Sequence, residues 1–218
     1  MLIHERMTRN PITIPPSMPV ADALQLMRKK SIRRLPIVDP KSGKVVGIVT
    51  EKELLYASPS PATSLSIHEI NYLLAKLTVD KIMSTDLITV TEDTPIEEAA
   101  RIMVDHQIGG LLVMRGEELI GIITETDLFK TFIELFGARC EGVRLTIVVP
   151  ERKGELYEIS QAITEIGGNI VTLGTFWGDD PSTRLLTIRV SEVTQEDLVA
   201  KMEAIGAEVI DARVCRIS

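Results

Sequence analysis

The chain has 218 residues, of which 25% are charged and 44% hydrophobic, so it can form one large globular domain or two compact ones. Its formal net charge is −7, and only 4% of its residues are aromatic. These values argue against the basic surface and the aromatic stacking platforms of a nucleic-acid-binding protein. No apolar run reaches membrane-spanning length. We therefore expect neither a nucleic-acid partner nor a membrane partner.

Cysteine usage and the first residues predict the cellular compartment. Cys140 and Cys215 lack metal-ligand spacing, which fits free thiols in a reducing compartment. The residues after Met1 show no apolar signal-peptide region. We expect a cytoplasmic protein. We also expect no metal site, because the three histidines are isolated from one another: His4, His68 and His106.

An internal repeat organises the first part of the chain. Residues 7–54 align with residues 83–128, so that Met7 meets Met83 and Pro19 meets Pro95. The hairpin loop is two residues shorter in the second copy, and Gly47 then aligns with Gly121. In each copy, the residue pattern predicts a strand, a helix, two strands joined by a hairpin, and a final helix. Because each copy is too small to bury a good core alone, we expect the two to pack together around a pseudo-twofold axis.

The predicted helix of each copy has one apolar face at helical spacing. Pro19 and Pro95 suit the first helical position. The face consists of Val20, Ala23, Leu24 and Met27 in the first copy, and of Ile96, Ala99, Ala100 and Met103 in the second.

Two linkers divide the chain. The first begins with Ser58-Pro59-Ser60-Pro61, after which residues 65–77 predict a helix with a capping box from Ser66 to Glu69. The second spans residues 137–142, and the elements that follow it occur in the order βαββαβ of a ferredoxin-like unit. The predicted boundaries are a first repeat at 1–57, a linker with a helix at 58–79, a second repeat at 80–136 and a C-terminal domain at 143–218.

The same strand-to-helix junction closes both copies. It reads Gly47-Ile-Val-Thr50-Glu-Lys-Glu53 in the first and Gly121-Ile-Ile-Thr124-Glu-Thr-Asp127 in the second. Such a junction can form a capping box, in which Thr and the carboxylate cap the helix. It can also hold a phosphorylated ribose, with the carboxylate on the sugar hydroxyls. The residues of the junction alone leave both readings open.

Two further features accompany these junctions: Met-x-x-x-x-Ile-Thr at the start of each copy, and the stretch Arg33-Arg34-Leu35-Pro36-Ile37-Val38-Asp39. Together, these features resemble the CBS domain family. The resemblance covers residues 1–136 and indicates a tandem CBS pair, or Bateman module. It implies that an adenine nucleotide binds as a regulatory ligand in clefts between the two repeats. AMP, ADP and ATP are the candidates, with S-adenosylmethionine and NAD as alternatives.

Carried over residue by residue, the resemblance places Asp127 on the ribose hydroxyls and Thr124 on the phosphate of one cleft. The second cleft is expected to be weaker, because Glu53 stands where the family uses Asp, and capping alone is the favoured reading there. Arg33 and Arg34 either contact ligand phosphates or form a solvated surface opposite the glycines of the other copy. The first predicted site comprises Ile12, Ile32, Arg33, Arg34, Thr124 and Asp127, and the second Thr50, Glu53, Ile88 and Ile108.

The C-terminal domain resembles the ACT family through Val149-Pro150-Glu151-Arg152-Lys153-Gly154-Glu155-Leu156 and Gly167-Gly168-Asn169-Ile170. Lys153 departs from the proline that the family usually has. The resemblance implies either a dimerisation surface, which we favour, or an amino-acid site. Leu156, Ile159, Ile163 and Ile166 predict the buried helix face. The residues of the amino-acid site would be Glu151, Arg152, Gly154, Asn169 and Ile170.

The whole arrangement resembles proteins of acetoin utilization. We expect an α/β (α+β) fold that combines the tandem CBS pair with a ferredoxin-like ACT domain. Catalytic motifs are absent from the sequence, so we expect a non-enzymatic regulatory protein, a homodimer that acts on a partner enzyme. The alternatives are an assembly module without ligand and an amino-acid sensor that works through the ACT domain.

Overall fold

The structure is a computed structural model that describes residues 1–57 and 77–216. The predicted breaker after Ser58, the capping box from Ser66 to Glu69, and His68 lie outside these residues. The chain divides into two compact units, Met1–Leu128 and Phe129–Ser218.

The two copies share the predicted helices and hairpin strands, but their short first strands do not correspond. Thr8–Arg9 belongs to the segment that leads into the first copy, and the predicted first strand of that copy is reduced to one bridge, between Ile14 and Ile37, where the second copy has Thr89–Val90. A short 3-10 turn comes before each copy, at Ile3–Glu5 and at Val79–Lys81. The first copy and its leading segment contain β1 (Thr8–Arg9), α1 (Val20–Lys30), β2 (Arg34–Val38), β3 (Val45–Thr50) and α2 (Glu51–Ala57). The second contains β4 (Thr89–Val90), α3 (Ile96–Asp105), β5 (Gly110–Arg115), β6 (Glu118–Thr124) and α4 (Glu125–Leu135).

Each copy is completed by the segment that precedes the other copy. β1 pairs antiparallel with β6 of the second copy, with Thr8 opposite Ile122. In the matching place on the first copy, Ser84 exchanges two backbone hydrogen bonds with Ile48 of β3. Ile3 accordingly packs in the core of the second copy and Val79 in the core of the first. The two copies therefore interlock through their leading segments.

Gly47 and Gly121 let these leading segments approach the sheets closely. A Cβ atom at Gly121 would lie 2.5 Å from Sδ of Met7 and 3.1 Å from the carbonyl oxygen of Thr8. A Cβ atom at Gly47 would lie 2.5 Å from Sδ of Met83. The glycine of each junction thus serves packing, because any side chain there would push the exchanged segment away.

Helices α1 and α3 bury the faces predicted from their spacing. Val20, Ala23 and Met27 are fully buried, as is Ala99 of α3. A fully buried side chain of the size of Val or Met stabilises the fold by about 1.5–3 kcal/mol. Pro19 and Pro95 are N-caps, one position before the predicted one. Each keeps the extended backbone that precedes the first helical residue, so the helices begin at Val20 and Ile96.

The second unit is the predicted ferredoxin-like βαββαβ fold. Its elements are β7 (Gly142–Pro150), α5 (Glu155–Glu165), β8 (Asn169–Trp177), β9 (Thr183–Ser191), α6 (Gln195–Ala204) and β10 (Glu208–Cys215). The strands form one antiparallel sheet in the order β10-β7-β9-β8. Ile159 and Ile163 of α5 are buried in its core, whereas Leu156, predicted on the same face, is 48% exposed. Leu156 lies in the first turn of α5, beside a cavity rather than over the sheet.

A ring cluster packs on the sheet of the second unit. Phe136 lies 4.6 Å from Phe132 and 5.7 Å from Phe176, measured between ring centroids. Gly174 of β8 makes room for it, because a Cβ atom there would lie 2.6 Å from the Phe136 ring. Cys140 and Cys215 are both free thiols.

Candidate functional site

The Thr50–Glu53 junction forms the predicted capping box. Glu53 Oε2 accepts hydrogen bonds from the backbone N–H and the hydroxyl of Thr50, both at 2.7 Å. The backbone N–H of Glu53 donates to Thr50 Oγ1 at 3.3 Å. Ser84 donates to Glu53 Oε1 at 3.1 Å, which joins the box to the exchanged segment. The side chain of Glu53, which is one methylene longer than that of Asp127, reaches both Thr50 and Ser84 with its carboxylate.

The Thr124–Asp127 junction repeats this geometry with a shorter carboxylate. Asp127 Oδ2 accepts from the backbone N–H of Thr124 at 3.0 Å and from its hydroxyl at 2.7 Å. The carboxylate of Asp127 therefore receives the same two hydrogen bonds from its threonine as the carboxylate of Glu53. In both junctions the carboxylate is held in a fixed direction by its own backbone, which is the preorganisation that a ligand site requires.

A cavity of about 280 Å³ lies between the two copies at the Thr50–Glu53 junction. Its volume is close to the lower end of small-molecule sites. The four residues predicted for the weaker cleft all line it: Thr50, Glu53, Ile88 and Ile108. The exchanged segment adds Ser84 and Asp86, and Gln107 adds an amide. The walls thus combine apolar side chains with a few polar groups at fixed places.

Sequence reasoning missed these last three residues, although the repeat contains a signal for them. Ser84 and Asp86 precede Ile88 at the spacing with which Thr8 and Asn10 precede Ile12. Gln107 has a positive φ of 55°, and its counterpart Ser31 has 53°. A position that both copies hold in this rare conformation, just before a cleft isoleucine, is a candidate site position.

The structure places the residues predicted to surround Asp127 in different parts of the two copies. Arg33 Nη2 donates to Thr126 Oγ1 at 3.2 Å, between Thr124 and Asp127 in the chain. Ile32 packs against the first core, and Ile12 is 39% exposed. Arg34, grouped with Asp127 in the sequence, lines the Thr50–Glu53 cavity instead.

Arg34 lies against the two glycines that replace arginines in the second copy. A Cβ atom at Gly110 would lie 3.0 Å from Cδ of Arg34, and one at Gly109 would overlap its guanidinium. The side chain of Arg34 is 18% exposed, and Nη2 is 3.7 Å from Oε2 of Glu125. Burial lowers the pKa of Arg34, the charge of Glu125 raises it in part, and Arg33 lowers it further. Arginine stays charged at any accessible pH, so a partly desolvated cation lies on the cavity wall.

A second cavity, of about 330 Å³, lies in the C-terminal unit. Three of the five predicted amino-acid-binding residues line it, Glu151, Arg152 and Gly154, while Asn169 and Ile170 lie elsewhere on β8. Sequence reasoning missed Arg184 and Tyr157, which also line the cavity. Nothing in the chain pattern distinguished either of them from an ordinary strand or helix surface residue.

Both arginines of this cavity already have carboxylate partners. Arg184 donates to Glu151 and also lies 3.5 Å above the ring of Trp177. Arg152 donates to Glu155 and Glu158, each at 2.6 Å. The hydrogen bond that Arg152 donates to Glu155 is the main cause that raises the pKa of Arg152. An incoming carboxylate would have to displace one of these pairs.

Within the described residues, no cluster of three or more His, Cys, Asp or Glu side chains is arranged to hold a metal ion. In the same part of the chain, no helix is both long enough and apolar enough to cross a membrane.

The interlocked repeats, with a cavity between them at the Thr50–Glu53 junction, define a tandem CBS pair, and the chain belongs to the CBS domain family. The CBS domain model matches residues 3–60 and 79–134. Residues 141–213 match the TTHA0829-like ACT domain.

Three similar proteins cover the CBS pair. MJ1404 of Methanocaldococcus jannaschii is 37% identical over 132 residues, which are 59% of this chain and 31% of that protein. A Vibrio cholerae protein assigned to acetoin utilization (AcuB) has a TM-score of 0.52 and 32% identity, over 63% of this chain and 93% of that chain. The CBS pair of MJ0100, solved with 5′-methylthioadenosine and S-adenosyl-L-methionine, has a TM-score of 0.50 and 28% identity, over 61% of this chain and 95% of that chain.

Proposed function

We propose that this chain is a non-enzymatic regulatory protein that binds an adenine nucleotide, or a related adenosine ligand, between its CBS repeats. The observation that carries the proposal is the cavity of about 280 Å³ at the Thr50–Glu53 junction. It places a carboxylate, a guanidinium and two isoleucines around one space between the copies. The similarity to the MJ0100 pair, which was solved with two adenosine compounds, supports the same ligand class here.

The cavity walls match the parts of an adenosine ligand. Ile88 and Ile108 offer apolar contact for a purine ring, and Gln107 and the neighbouring backbone offer hydrogen bonds to its edge. Glu53 accepts three hydrogen bonds from the protein. Because an ionised carboxylate has about four acceptor positions, it can still accept one from a ribose hydroxyl. Capping and ribose binding are therefore compatible at Glu53.

The Thr124–Asp127 junction is the second proposed site. Asp127 would bind the ribose hydroxyls and Thr124 the phosphate, with Ile12, Ile32 and Arg33 from the first copy. Its support is the shared geometry of the two junctions, in which each carboxylate receives two hydrogen bonds from its threonine. If both clefts bind ligand, the stoichiometry is two per chain.

Isothermal titration tests the binding proposal. The full chain is titrated with AMP, ADP, ATP, S-adenosylmethionine and NAD. The nucleoside adenosine and the nucleotide guanosine monophosphate serve as reference ligands. We expect saturable heat with at least one adenine compound and a weaker response to the guanine compound. Absence of heat with every adenine compound at millimolar concentration would refute the proposal.

The regulatory part of the proposal concerns an interface. A ligand shifts a conformational equilibrium only if it binds the two states with different affinities. We propose a cytoplasmic homodimer whose association, or whose grip on a partner enzyme, changes with ligand. The similarity to the AcuB protein points to acetoin or acetate metabolism. Sedimentation velocity with and without saturating ligand tests the interface, and an unchanged dimer constant would contradict a ligand-controlled dimer.

A second candidate function, amino-acid sensing, rests on the cavity of about 330 Å³ in the ACT unit. Glu151, Arg152 and Gly154 would contact the ligand, and Asn169 and Ile170 would not. A thermal-shift screen with the twenty amino acids tests it, and no shift with any of them would remove this function. A third candidate is an assembly module without ligand, which is favoured if neither the titration with adenine compounds nor the thermal-shift screen with amino acids detects binding.

A further inference from the structure

The face of the ACT sheet that lies opposite α5 and α6, which we call the outer face, carries a row of three arginines. Residues alternate along β7 and β9, so Leu145 and Ile188 point into the core and their neighbours point to the outer face. In the strand register, Arg144 of β7 lies opposite Arg189 of β9 and also opposite Arg213 of β10. Like charges directly opposite each other destabilise a sheet. The row therefore requires compensating negative charge.

Within the described residues, one carboxylate lies within ion-pair distance of this row, and it pairs with only two of the arginines. Asp211 accepts three hydrogen bonds from Arg213, at 2.6 to 3.1 Å, and one from Nη1 of Arg144, at 3.0 Å. The hydrogen bond from Arg213 is the main cause that lowers the pKa of Asp211. The carboxylate is therefore ionised and already shared between two cations.

Arg189 is a buried cation without an anionic partner. It is 5% exposed, and its Nη1 donates to the backbone carbonyl oxygen of Cys140 at 2.7 Å. Its Nε is buried and has no acceptor in the part of the chain that the structure describes. No carboxylate in that part forms an ion pair with it. A buried charge that lacks both a counter-ion and a full set of hydrogen bonds is strongly unfavourable, so a fold that keeps one requires an explanation.

The connector, which we define as residues 136–141, covers Arg189 and supplies the carbonyl oxygen that it contacts. Gly137 has a positive φ of 57°, and a Cβ atom there would lie 3.0 Å from Thr172 and 3.4 Å from Cδ of Arg189. The connector thus packs directly on the arginine. A neutral carbonyl forms a weaker hydrogen bond than an ionised oxygen does, so the guanidinium charge stays largely uncompensated.

We propose that the outer face of the ACT sheet binds a small oxyanion, a phosphate or a carboxylate, between Arg144 and Arg189. The anion replaces the Cys140 carbonyl as the acceptor for Arg189, and because Nε is buried, the connector moves away from the sheet. Arg144 has donors available, since its hydrogen bonds to Thr146 and Asp211 both come from Nη1.

The geometry of the sheet suits such a ligand. Cross-strand neighbours lie about 5 Å apart, and a guanidinium binds paired oxygens in a bidentate fork, so two adjacent arginines can reach one anion. None of the three arginines lines the cavity proposed for adenosine or the cavity proposed for an amino acid. The site is therefore separate from both and does not depend on either ligand.

Titration of the full chain with inorganic phosphate and with malonate tests the site. Dissociation constants are measured by calorimetry at constant ionic strength, because salt screens exposed charges. The variants are Arg144→Gln, Arg189→Gln and Asp211→Asn. Arg28→Gln is the control for net charge, because Arg28 is exposed at the end of α1 in the other unit. Arg34→Gln is a second control, which detects anion binding in the CBS cleft instead.

We expect the wild type to bind at least one of the two anions saturably. Arg144→Gln and Arg189→Gln should each weaken binding roughly ten- to a hundredfold, because each removes a charged hydrogen-bond donor. Asp211→Asn should strengthen it roughly three- to tenfold, because the competing carboxylate is gone, and such a gain cannot come from an unfolded variant. Arg28→Gln and Arg34→Gln should leave the dissociation constant unchanged.

Hydrogen exchange separates a ligand site from a purely structural contact. The backbone N–H of Cys140 donates to the carbonyl oxygen of Gly137 within the connector. Saturating anion should speed exchange of the connector amides severalfold in the wild type and not in Arg189→Gln, because the anion displaces the connector. Unchanged exchange with bound anion would show that the anion does not reach Arg189.

The remaining outcomes also decide the proposal. If neither anion binds, or if Arg34→Gln abolishes binding and Arg144→Gln does not, the outer face is not an oxyanion site. Neither result affects the proposed adenosine site, which is tested with different ligands. A thermal melt shows whether Arg189→Gln is folded. If it is not, Arg144→Gln, on a partly exposed side chain, and Asp211→Asn still test the site.

Discussion

The two CBS repeats share their packing contacts and differ in the charges that face the cleft. A Cβ atom at Gly47 or Gly121 would lie 2.5 Å from the sulfur atom of Met83 or Met7, and the carboxylates of Glu53 and Asp127 accept the same two hydrogen bonds from Thr50 and Thr124. At the cleft, however, a pair of arginines in the first copy stands opposite a pair of glycines in the second.

This difference shows which positions the duplicated fold constrains. Each of these glycines packs against a methionine of the other copy, so a larger residue at the glycine position requires the methionine to move or to be replaced. At the starts of β2 and β5 the two copies differ in residue type, because the first copy supplies the long cation Arg34 and the second supplies two glycines that leave space for it. Arg34 occupies the space that the missing side chains of Gly109 and Gly110 leave open. A pseudo-symmetric pair can therefore hold two chemically unequal clefts.

The exchange of leading segments gives the largest expected effect. Ile3 is fully buried in the core of the second copy. Ile3→Ala should lower the free energy of unfolding by about 2–5 kcal/mol, because it leaves a cavity in that core. Urea titration measures the loss, and Val104→Ala, at a side chain that is 74% exposed, is the control. A loss no larger than that of the control would show that the first residues do not complete the second copy.

The ranking of the two clefts is tested by their carboxylates. The sequence ranks Asp127 above Glu53, but the cavity of about 280 Å³ lies at Glu53. We expect Glu53→Ala to weaken adenine-ligand binding by about 1.5–3 kcal/mol, because it removes a charged hydrogen-bond acceptor for the ribose. Calorimetric titration of Glu53→Ala, Glu53→Asp and Asp127→Ala measures this, with Glu53→Asp expected to lose less. A greater loss with Asp127→Ala would restore the ranking made from the sequence.

Substitutions at two glycines of the second copy compare a position packed against the leading segment, Gly121, with a position that faces the cleft, Gly109. Gly121→Ala should lower the free energy of unfolding by about 1–3 kcal/mol, because the new methyl group meets the buried Met7 and the backbone of Thr8. Gly109→Ala should cost under about 1 kcal/mol, because the ends of Arg34 and Glu125 can move aside. Denaturant titration compares the pair. Equal losses of unfolding free energy in the two variants would mean that the side chain of Arg34 is as firmly fixed as that of Met7.

The smallest effect is expected at the ion pair between the two hairpins. Lys44 Nζ lies 2.7 Å from Glu117 Oε1, and both side chains are more than half exposed. A double-mutant cycle with Lys44→Ala and Glu117→Ala should give a coupling of about 0–1 kcal/mol that shrinks as salt is added. A larger, salt-resistant coupling would show that the hairpins, as well as the leading segments, hold the copies together.

Most elements of the fold follow from local patterns in the sequence. The i, i+3, i+4, i+7 spacing located α1 and α3, and the βαββαβ order located the second domain, because the period of apolar residues is a local consequence of helix and strand geometry. The errors are local as well. Pro19 and Pro95 cap their helices instead of starting them, and Leu156 lines a cavity instead of the core.

The candidate site was predicted only in part, because a cleft between two copies depends on long-range placement. Thr50, Glu53, Ile88 and Ile108 were grouped through the repeat, and all four line one cavity. Ser84 and Asp86 were missed because they reach the cleft through the exchanged segment. Arg34 was grouped with Asp127, and the direction of its side chain became evident only from the tertiary structure.

By itself, the sequence determined the duplication, the order of the elements and the two capped junctions, since each depends on residue types at short spacing. Only the tertiary structure decided that each leading segment completes the opposite copy. It also decided that Arg34 lines the Thr50–Glu53 cavity while Arg33 contacts Thr126. Both outcomes depend on how two similar sheets pack against each other, and in that contact a methionine sulfur or a missing Cβ atom determines what fits.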